Sequence, residues 1–361
     1  MRIKHIVAGA ALLALAAGGS AKAGGPEADT QDKTVDWLGL AAGSAAAAET
    51  VLAADLAGLF ATGAPLCVLP LLGDAGEGNV TLLIDAPHVD IAFVSTDALA
   101  AAASARKDLP EHVELVARLY PQEVHVLARA DIRTIADLAG KKVSFGPAGS
   151  ASSVTGAALF KALGIEVEPE NLDAGLAIEQ LKQGSISAAV IVSGKPSPLL
   201  EGVPPDLGLH LLPVTFGASL QQAYLPTRIE AADYPNLVDA GEEVSTVATG
   251  MLLLAAKNKN DPDSAARVAR FVDTLFPRFA ELQASGRHPK WREVNLAATL
   301  PGFARTPEAE SWLATRAAMT PKPIVATPGP VAPQPGDMAT GSDRKEKLFR
   351  KFIEWRRTSS N

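Results

Sequence analysis

The sequence predicts an α/β fold with mostly parallel sheets, and three observations carry that prediction. Short β-branched runs alternate with alanine- and leucine-rich helical patterns through the whole middle of the 361-residue chain. Several of those runs end in glycine or small polar residues just where the next helix begins, the edge at which open α/β sheets hold their ligands. A single cysteine, Cys67, excludes an internal disulfide. The fold is therefore held by its core, which a composition of 47% hydrophobic and 5% aromatic residues fills with Ala, Leu and Val.

Taken in order, residues 1–23 read as a secretory signal peptide. Arg2 and Lys4 form the positive end, Ile6 to Ala17 an apolar run too short to span a bilayer, and Ala21-Lys22-Ala23 the cleavage site. Cleavage after Ala23 removes Arg2, Lys4 and Lys22 and takes the net charge from -7 to about -10. So acidic a chain argues against a nucleic-acid partner. No later run is apolar for long enough to cross a membrane; the nearest, Val244 to Ala256, is broken by Ser245, Thr246, Thr249 and Gly250.

Thr34 to Leu40 reads as a first strand, and Ala41 to Phe60 as a loop entering an alanine-rich helix. Leu66 to Leu72 is a second apolar run, with a turn over Gly73 to Asn79. Val80 to Asp85, Val89 to Val94 and Val113 to Leu119 are further strand candidates, with a helix over Thr96 to Ala105. Glu123 to Ala128 is expected as a strand, Ile135 to Leu138 as a brief helix, Ala177 to Gln183 as an amphipathic helix and Ala188 to Val192 as a strand. Thr246 to Ala256 is strand-like, and Arg267 to Leu282 carries the apolar spacing of a long helix at Val268, Phe271, Val272, Leu275, Phe276 and Phe279. Beyond Ala318 at least six prolines between Thr320 and Gly336 predict a stiff linker. Ser342 to Arg357 then reads as a short basic helix, with seven basic and three acidic residues. It docks either on the protein's own surface or on a membrane or partner.

The most informative stretch is Lys141 to Phe160, KKVSFGPAGSASSVTGAALF. A β-branched run ends in Gly146-Pro147-Ala148-Gly149, and Ser150, Ala151, Ser152, Ser153 and Thr155 open a helix. Unpaired amides and the positive end of a helix dipole make such a junction an anion site; an ordinary turn capped by serine has the same spacing. Val89 to Val94 followed by Ser95, Thr96 and Asp97 repeats the design, where the plainer role for Thr96 or Asp97 is a helix cap. Ser193-Gly194-Lys195-Pro196-Ser197-Pro198 places another polar turn after a strand.

From Leu119 to Pro198 the chain resembles the TAXI-type solute-binding subunits of TRAP transporters. The likeness lies in Tyr120-Pro121, VHVLARAD, IADLAGKKVSFG with its glycine-serine-threonine turn, and AIEQLKQGSISAAVIVSGKP. Leu83 to Leu99, Tyr234-Pro235 and Val244 to Ala248 extend it over roughly residues 80–315. The resemblance implies a two-lobed type II periplasmic-binding-protein fold with two hinge crossings. On that pattern residues 34–121 plus 225–318 form lobe 1 and 122–224 lobe 2; the proline-rich linker, 319–341, and the basic amphipathic tail, 342–361, are additions to it. It also implies a protein of the periplasm that closes on a small organic anion and docks on a TRAP membrane permease; a monomer is expected, with no cofactor and no metal. One departure stands out. The glycine-rich turn that opens such proteins with threonine and tyrosines is here Leu40 to Glu49, where only Gly43 and Ser44 offer backbone and hydroxyl contacts.

The expected ligand site thus comprises Gly149, Ser150, Ala151, Ser152, Ser153 and Thr155 from one lobe and Gly43, Ser44, Ser95, Thr96 and Asp97 from the other. Ser193 and Lys195 stand at its rim. An enzyme is disfavoured: there is no G-x-S-x-G, no H-E-x-x-H and no cysteine pair, and His88, His112, His125, His210 and His288 are scattered. His125 is expected to be packed and His288 to serve lobe packing or docking. The alternative to transport is a periplasmic ligand sensor with a degenerate or altered site.

Overall fold

A computed structural model describes residues 36–45, 47–61, 66–221 and 223–319. The elements run β1 (Asp36–Ala41), α1 (Ala48–Phe60), β2 (Leu66–Leu71), α2 (Glu77–Asp85), β3 (Val89–Ser95), α3 (Thr96–Ala105), α4 (Leu109–His112) and β4 (Val113–Arg129). They continue with β5 (Lys142–Ser144), α5 (Ala151–Leu163), β6 (Glu168–Glu170), α6 (Ala174–Lys182), β7 (Ala188–Ser193), α7 (Pro198–Glu201), β8 (Leu209–Leu211) and β9 (Leu225–Glu230). The last three are β10 (Glu243–Ala256), α8 (Ser264–Leu282) and α9 (Pro307–Met319). Residues 1–313 form one unit, which holds all of these strands, and 314–361 form another. The expected signal peptide, linker and tail lie outside the described residues, apart from Met319.

The strands join in the order β2-β1-β3-β10-β4-β7-β5-β6, with β8 added to β4 and β9 to β10. Two members, β4 with 17 residues and β10 with 14, are long enough to run through both halves. Their antiparallel pairing sets Leu252 opposite Arg118 in one half and Ala248 opposite Glu123 in the other. The result is a two-lobed α/β fold with β4 and β10 crossing between the lobes.

The sheet is more mixed than the sequence suggests. Parallel ladders are confined to β1 with β2 and β3, and to β5 with β6 and β7. The ladders that β4 and β10 make with the other strands are all antiparallel, because the chain crosses out on one strand and back on the other. The two strands expected at Val113–Leu119 and Glu123–Ala128 are one, continuous through Tyr120-Pro121-Gln122. Pro121 lacks an N–H, and it falls opposite Gly250, where the register shifts and the ladder tolerates the missing donor.

The segment Val80–Asp85, expected as a strand, is the body of helix α2. Its buried positions, Asn79, Val80 and Leu83, are spaced for a helix face. The Asp74 carboxylate accepts hydrogen bonds from the N–H groups of Gly76 (2.8 Å) and Asn79 (3.2 Å), which starts the helix.

Apolar clusters pack on both faces of each half-sheet. In the half containing β1–β3, Leu38, Leu52, Phe93 and Phe271 lie on one face and Val94, Leu99, Leu109 and Leu254 on the other. In the second half, Val126, Val143, Leu159 and Val190 oppose Leu127, Leu181, Ile191 and Tyr234. Buried polar ties join the elements. The Arg267 guanidinium on α8 grips Asp90 of β3 through Nε at 2.6 Å and Nη2 at 3.1 Å, and Ser264 donates to the same carboxylate at 2.6 Å.

Candidate functional site

At the carboxyl ends of β1, β2 and β3 the chain turns back three times in little space, and Asn79 organises the turns. Its fully buried amide donates to the carbonyls of Ala42 (2.7 Å), Ala41 (3.3 Å) and Phe93 (2.8 Å), and its Oδ1 accepts from Asp74 N–H (3.1 Å). Four ladder-end groups are satisfied by one side chain, so the loops after β1 and β2 are fixed. The loop after β1 is further held by Thr50, whose hydroxyl donates to the Ser44 carbonyl at 2.7 Å.

In the other lobe β5 leads through Gly146 and Gly149, both at positive φ (83° and 80°), into α5. Ser150 caps that helix by accepting the Ser153 N–H at 3.2 Å, and Ser152 Oγ accepts the Val192 N–H at 3.0 Å. The two lobes meet here directly. Glu77 N–H donates to the Gly149 carbonyl (2.8 Å), and Ala151 N–H to the Asp74 carbonyl (3.2 Å). Gly76 makes this possible: a Cβ there would stand 2.1 Å from the Gly149 oxygen.

Beside that contact lies a cavity of about 100 Å³ between the lobes. Gly43, Ser44, Ala47, Glu49, Gly73, Asp74 and Ala75 line it from one side. Gly146, Pro147, Ser150, Ser152, Leu172, Asp173, Ala177, Ser193 and Ser197 line it from the other, with the strand Ala189–Val192. Among the described residues, no lysine, arginine or histidine lines it. Of its carboxylates, Asp74 starts α2 and Asp173 caps α6 by accepting the Leu176 N–H at 3.0 Å.

Glu49 differs from these. It belongs to the first turn of α1 in one lobe, yet its fully buried carboxylate is held by groups of the other lobe and of the crossing. Gln122 Nε2 donates to Oε1 at 2.8 Å, Gly194 N–H to Oε1 at 3.2 Å and Ser193 Oγ to Oε2 at 3.1 Å. Ser193 Oγ also accepts the Ala48 N–H at 3.2 Å. Gly43 leaves the room for it, since a Cβ there would come within 2.8 Å of Glu49 Cβ. Ser197 is the converse case: 1% exposed and lining the cavity, its hydroxyl has no hydrogen-bond partner among the described residues.

Of the residues expected at the site, the cavity brings together Gly43, Ser44, Ser150, Ser152 and Ser193. Gly149 and Ala151 stand at the contact between the lobes, with carbonyl and N–H respectively taken by the opposite loop. Ser153 has its N–H bound to Ser150. Ser95, not Thr96 or Asp97, caps α3, accepting the Ala98 N–H at 3.2 Å. Asp97 and Thr155 leave the cavity altogether and join α3 to α5: Thr155 Oγ1 donates to Asp97 at 2.9 Å and Thr249 Oγ1 at 2.8 Å, while Thr96 bonds Thr249 at 2.8 Å. Burial raises the Asp97 carboxyl above the ordinary range, against the hydroxyl donors that lower it. Lys195 faces away from the cavity, its ammonium on Asp233 at 2.7 Å and the Arg228 carbonyl at 2.9 Å.

Among the polar lining residues not expected at the site are Glu49, Ser197, Asp173 and, in the loop Gly73–Ala75, Asp74. Glu49 stands out only as the first charge after an alanine run, which by itself fits an exposed helix start as well. Ser197 and the loop are legible only as turns that follow strands, because their place at the cavity depends on how the lobes meet.

Behind the cavity the crossing is braced by a second buried network. Lys290 Nζ donates to Glu123 at 2.6 Å and to Glu293 at 2.9 Å, and Lys195 N–H donates to Glu123 at 3.1 Å. Burial raises the Glu123 carboxyl to about 7 despite the attraction of Lys290. His125 is fully buried; its Nδ1 bonds the Ile191 carbonyl and its Nε2 the Tyr234 hydroxyl, and burial depresses its pKa to about 4. His288 bonds the Pro196 carbonyl at 3.0 Å through Nε2, and its own N–H joins Trp291 Nε1 on the Asp55 carboxylate. These histidines pack. Among the described residues no group of three His, Cys, Asp or Glu side chains is placed to hold a metal ion. No helix among them is long and apolar enough to cross a membrane.

The sequence profile of the family described as NMT1-like matches residues 73–302. Solved structures similar to this chain include the periplasmic binding protein BugD, 14% identical, with 78% of this chain and 93% of that one covered and a TM-score of 0.46. A TctC solute-binding protein from Polaromonas is 16% identical over 79% of this chain and 95% of that one, at a TM-score of 0.41. The alkanesulfonate-binding protein SsuA from Xanthomonas axonopodis pv. citri, bound to MOPS, is 17% identical over 79% and 92%, at 0.42.

Proposed function

Because the chain belongs to the NMT1-like family, we propose that it is a periplasmic solute-binding protein, capturing a small organic anion between its lobes for a membrane permease. The permease is of the TRAP type, and the chain its TAXI-like subunit. The observation that carries this reading is the cavity itself. It lies where the carboxyl ends of β1 and β7 face each other, and hydroxyls converge on it from both lobes. One of them, Ser197, is unpartnered among the described residues.

With no cationic side chain among its described lining residues, the cavity holds an anion through hydroxyls, peptide groups and the positive end of α5. Such charge-assisted bonds contribute about 1.5–3 kcal/mol each, so a few suffice for micromolar affinity, about 8 kcal/mol. Closure follows from contacts the solute makes to both lobes at once. A calorimetric screen of mono- and dicarboxylates and amino acids tests this, with micromolar binding by at least one expected. Folded protein that binds none of them overturns it.

A second reading, a ligand sensor uncoupled from transport, draws on the bonds that already join the lobes through Glu49, Asp97 and the Gly149 carbonyl. Uptake of the identified solute by cells lacking the protein separates the two. Lost uptake means transport; unchanged uptake means sensing.

A further inference from the structure

Glu49 is a carboxylate from one lobe seated in donors supplied by the rest of the clamshell. A peptide N–H, a hydroxyl and a side-chain amide converge on it from Gly194, Ser193 and Gln122 at 2.8–3.2 Å. The seat is on the wall of the cavity, and the carboxylate in it is fully buried. These are the donors that a small carboxylate needs when it is taken out of water. Close by, the buried Ser197 hydroxyl lines the same cavity with no partner among the described residues.

We propose that the Glu49 seat is the carboxylate subsite of this cavity, filled in the present state by the chain's own side chain, and that a small carboxylate takes it when Glu49 withdraws. Ser197 then bonds the remainder of the solute. Glu49 acts as an internal competitor: it holds the lobes together without a solute, and it sets a threshold that an incoming anion must exceed. Two negative groups cannot share one buried set of donors, so occupancy is exclusive. Glu49 sits in the first turn of α1, so a turn of its side-chain torsions withdraws the carboxylate without unfolding a strand.

This rests on the proposed capture of an anion between the lobes, and the test keeps the two apart. Thermal unfolding of Glu49→Ala and of the unaltered protein is followed against sodium acetate and sodium propionate, with sodium chloride at equal ionic strength as the control. The alanine variant is expected to lose stability in chloride and regain it saturably in acetate. Its half-saturating concentration should be at least tenfold below that of the unaltered protein, and the Gly194 amide resonance should shift in parallel. Equal responses to acetate in both proteins, or none in the folded variant, overturn the proposal. If Glu49→Ala does not fold, Glu49→Gln carries the same test, since it keeps the side-chain length but weakens the seat. Acetate rescue together with an empty solute screen leaves the seat standing and removes the transport reading. A solute bound by the unaltered protein, with no rescue, does the reverse.

Discussion

The Lys290 ammonium, in the turn Pro289–Glu293, lies 2.6 Å from the carboxylate of Glu123 on the crossing strand β4, with both side chains essentially inaccessible to water. Removing one member of such a pair leaves the other charged or protonated in the interior. Lys290→Ala is expected to cost about 3–5 kcal/mol, read by urea unfolding. The carboxyl of Glu123, freed of its attraction to Lys290, should titrate still higher than about 7. A double variant, Glu123→Gln with Lys290→Met, should recover most of the loss; no recovery means the pair does not act as a unit.

Stability should respond to pH through two groups of opposite sign. His125 is depressed by burial to about 4 from an ordinary 6.5, so the stability it contributes is present above pH 6.5 and lost as pH falls through 4. At full extent that loss is about 3 kcal/mol. Glu123 is raised by burial to about 7 from 4.5, so its contribution is present below pH 4.5 and lost as pH rises through 7. The two oppose each other between pH 4.5 and 6.5. In His125→Gln that part of the compensation goes, while His210 and His288, also depressed by burial, keep theirs, so the slope of stability against pH across that window should turn downward relative to the parent, measured by denaturant unfolding at each pH. A slope unchanged from the parent protein would contradict the assignment.

Asp97 receives hydroxyl hydrogen bonds from Thr155 of α5 and Thr249 of β10. Asp97→Ala leaves those hydroxyls without their acceptor and should cost about 1–3 kcal/mol. Because the bonds span α3 and α5, amide exchange should quicken in both helices together. Exchange confined to α3 would mean that the clasp does not hold the lobes.

Gly76→Ala tests the contact between the lobes. The new methyl would meet the Gly149 oxygen at 2.1 Å and the Ala151 nitrogen at 2.7 Å, both backbone atoms that cannot swing aside. The variant is expected to fold with its lobes held apart, seen as a larger radius of gyration in X-ray scattering and faster exchange of the Glu77 amide. Unchanged scattering would show that the loop yields instead.

The fold was readable wherever a residue's fate depended on its neighbours along the chain. Val89–Val94 and Ala188–Val192 are buried strands because short, largely apolar runs rich in β-branched residues need cover on both faces. Ser150 caps α5 as its position before a helical run implies. Val80–Asp85 misled because a short apolar run fits either period, and the Asp74 cap that decides for a helix lies outside it. The cavity was half legible for the same reason. Gly43, Ser44, Ser150, Ser152 and Ser193 follow strand ends, whereas Asp97 and Thr155 follow them equally well and bond each other instead.

What the sequence determined by itself is therefore local: most of the strands and helices, the serine cap of α5, and that an acidic chain with one cysteine must rely on its core. The tertiary structure alone decided that Glu49 meets Ser193 and Gly194 across the cleft, that Ser197 finds no partner there among the described residues, and that Asp97 clasps two helices. Hydrogen bonds between residues 58 and 145 positions apart depend on how two lobes close, and spacing along the chain carries no trace of that.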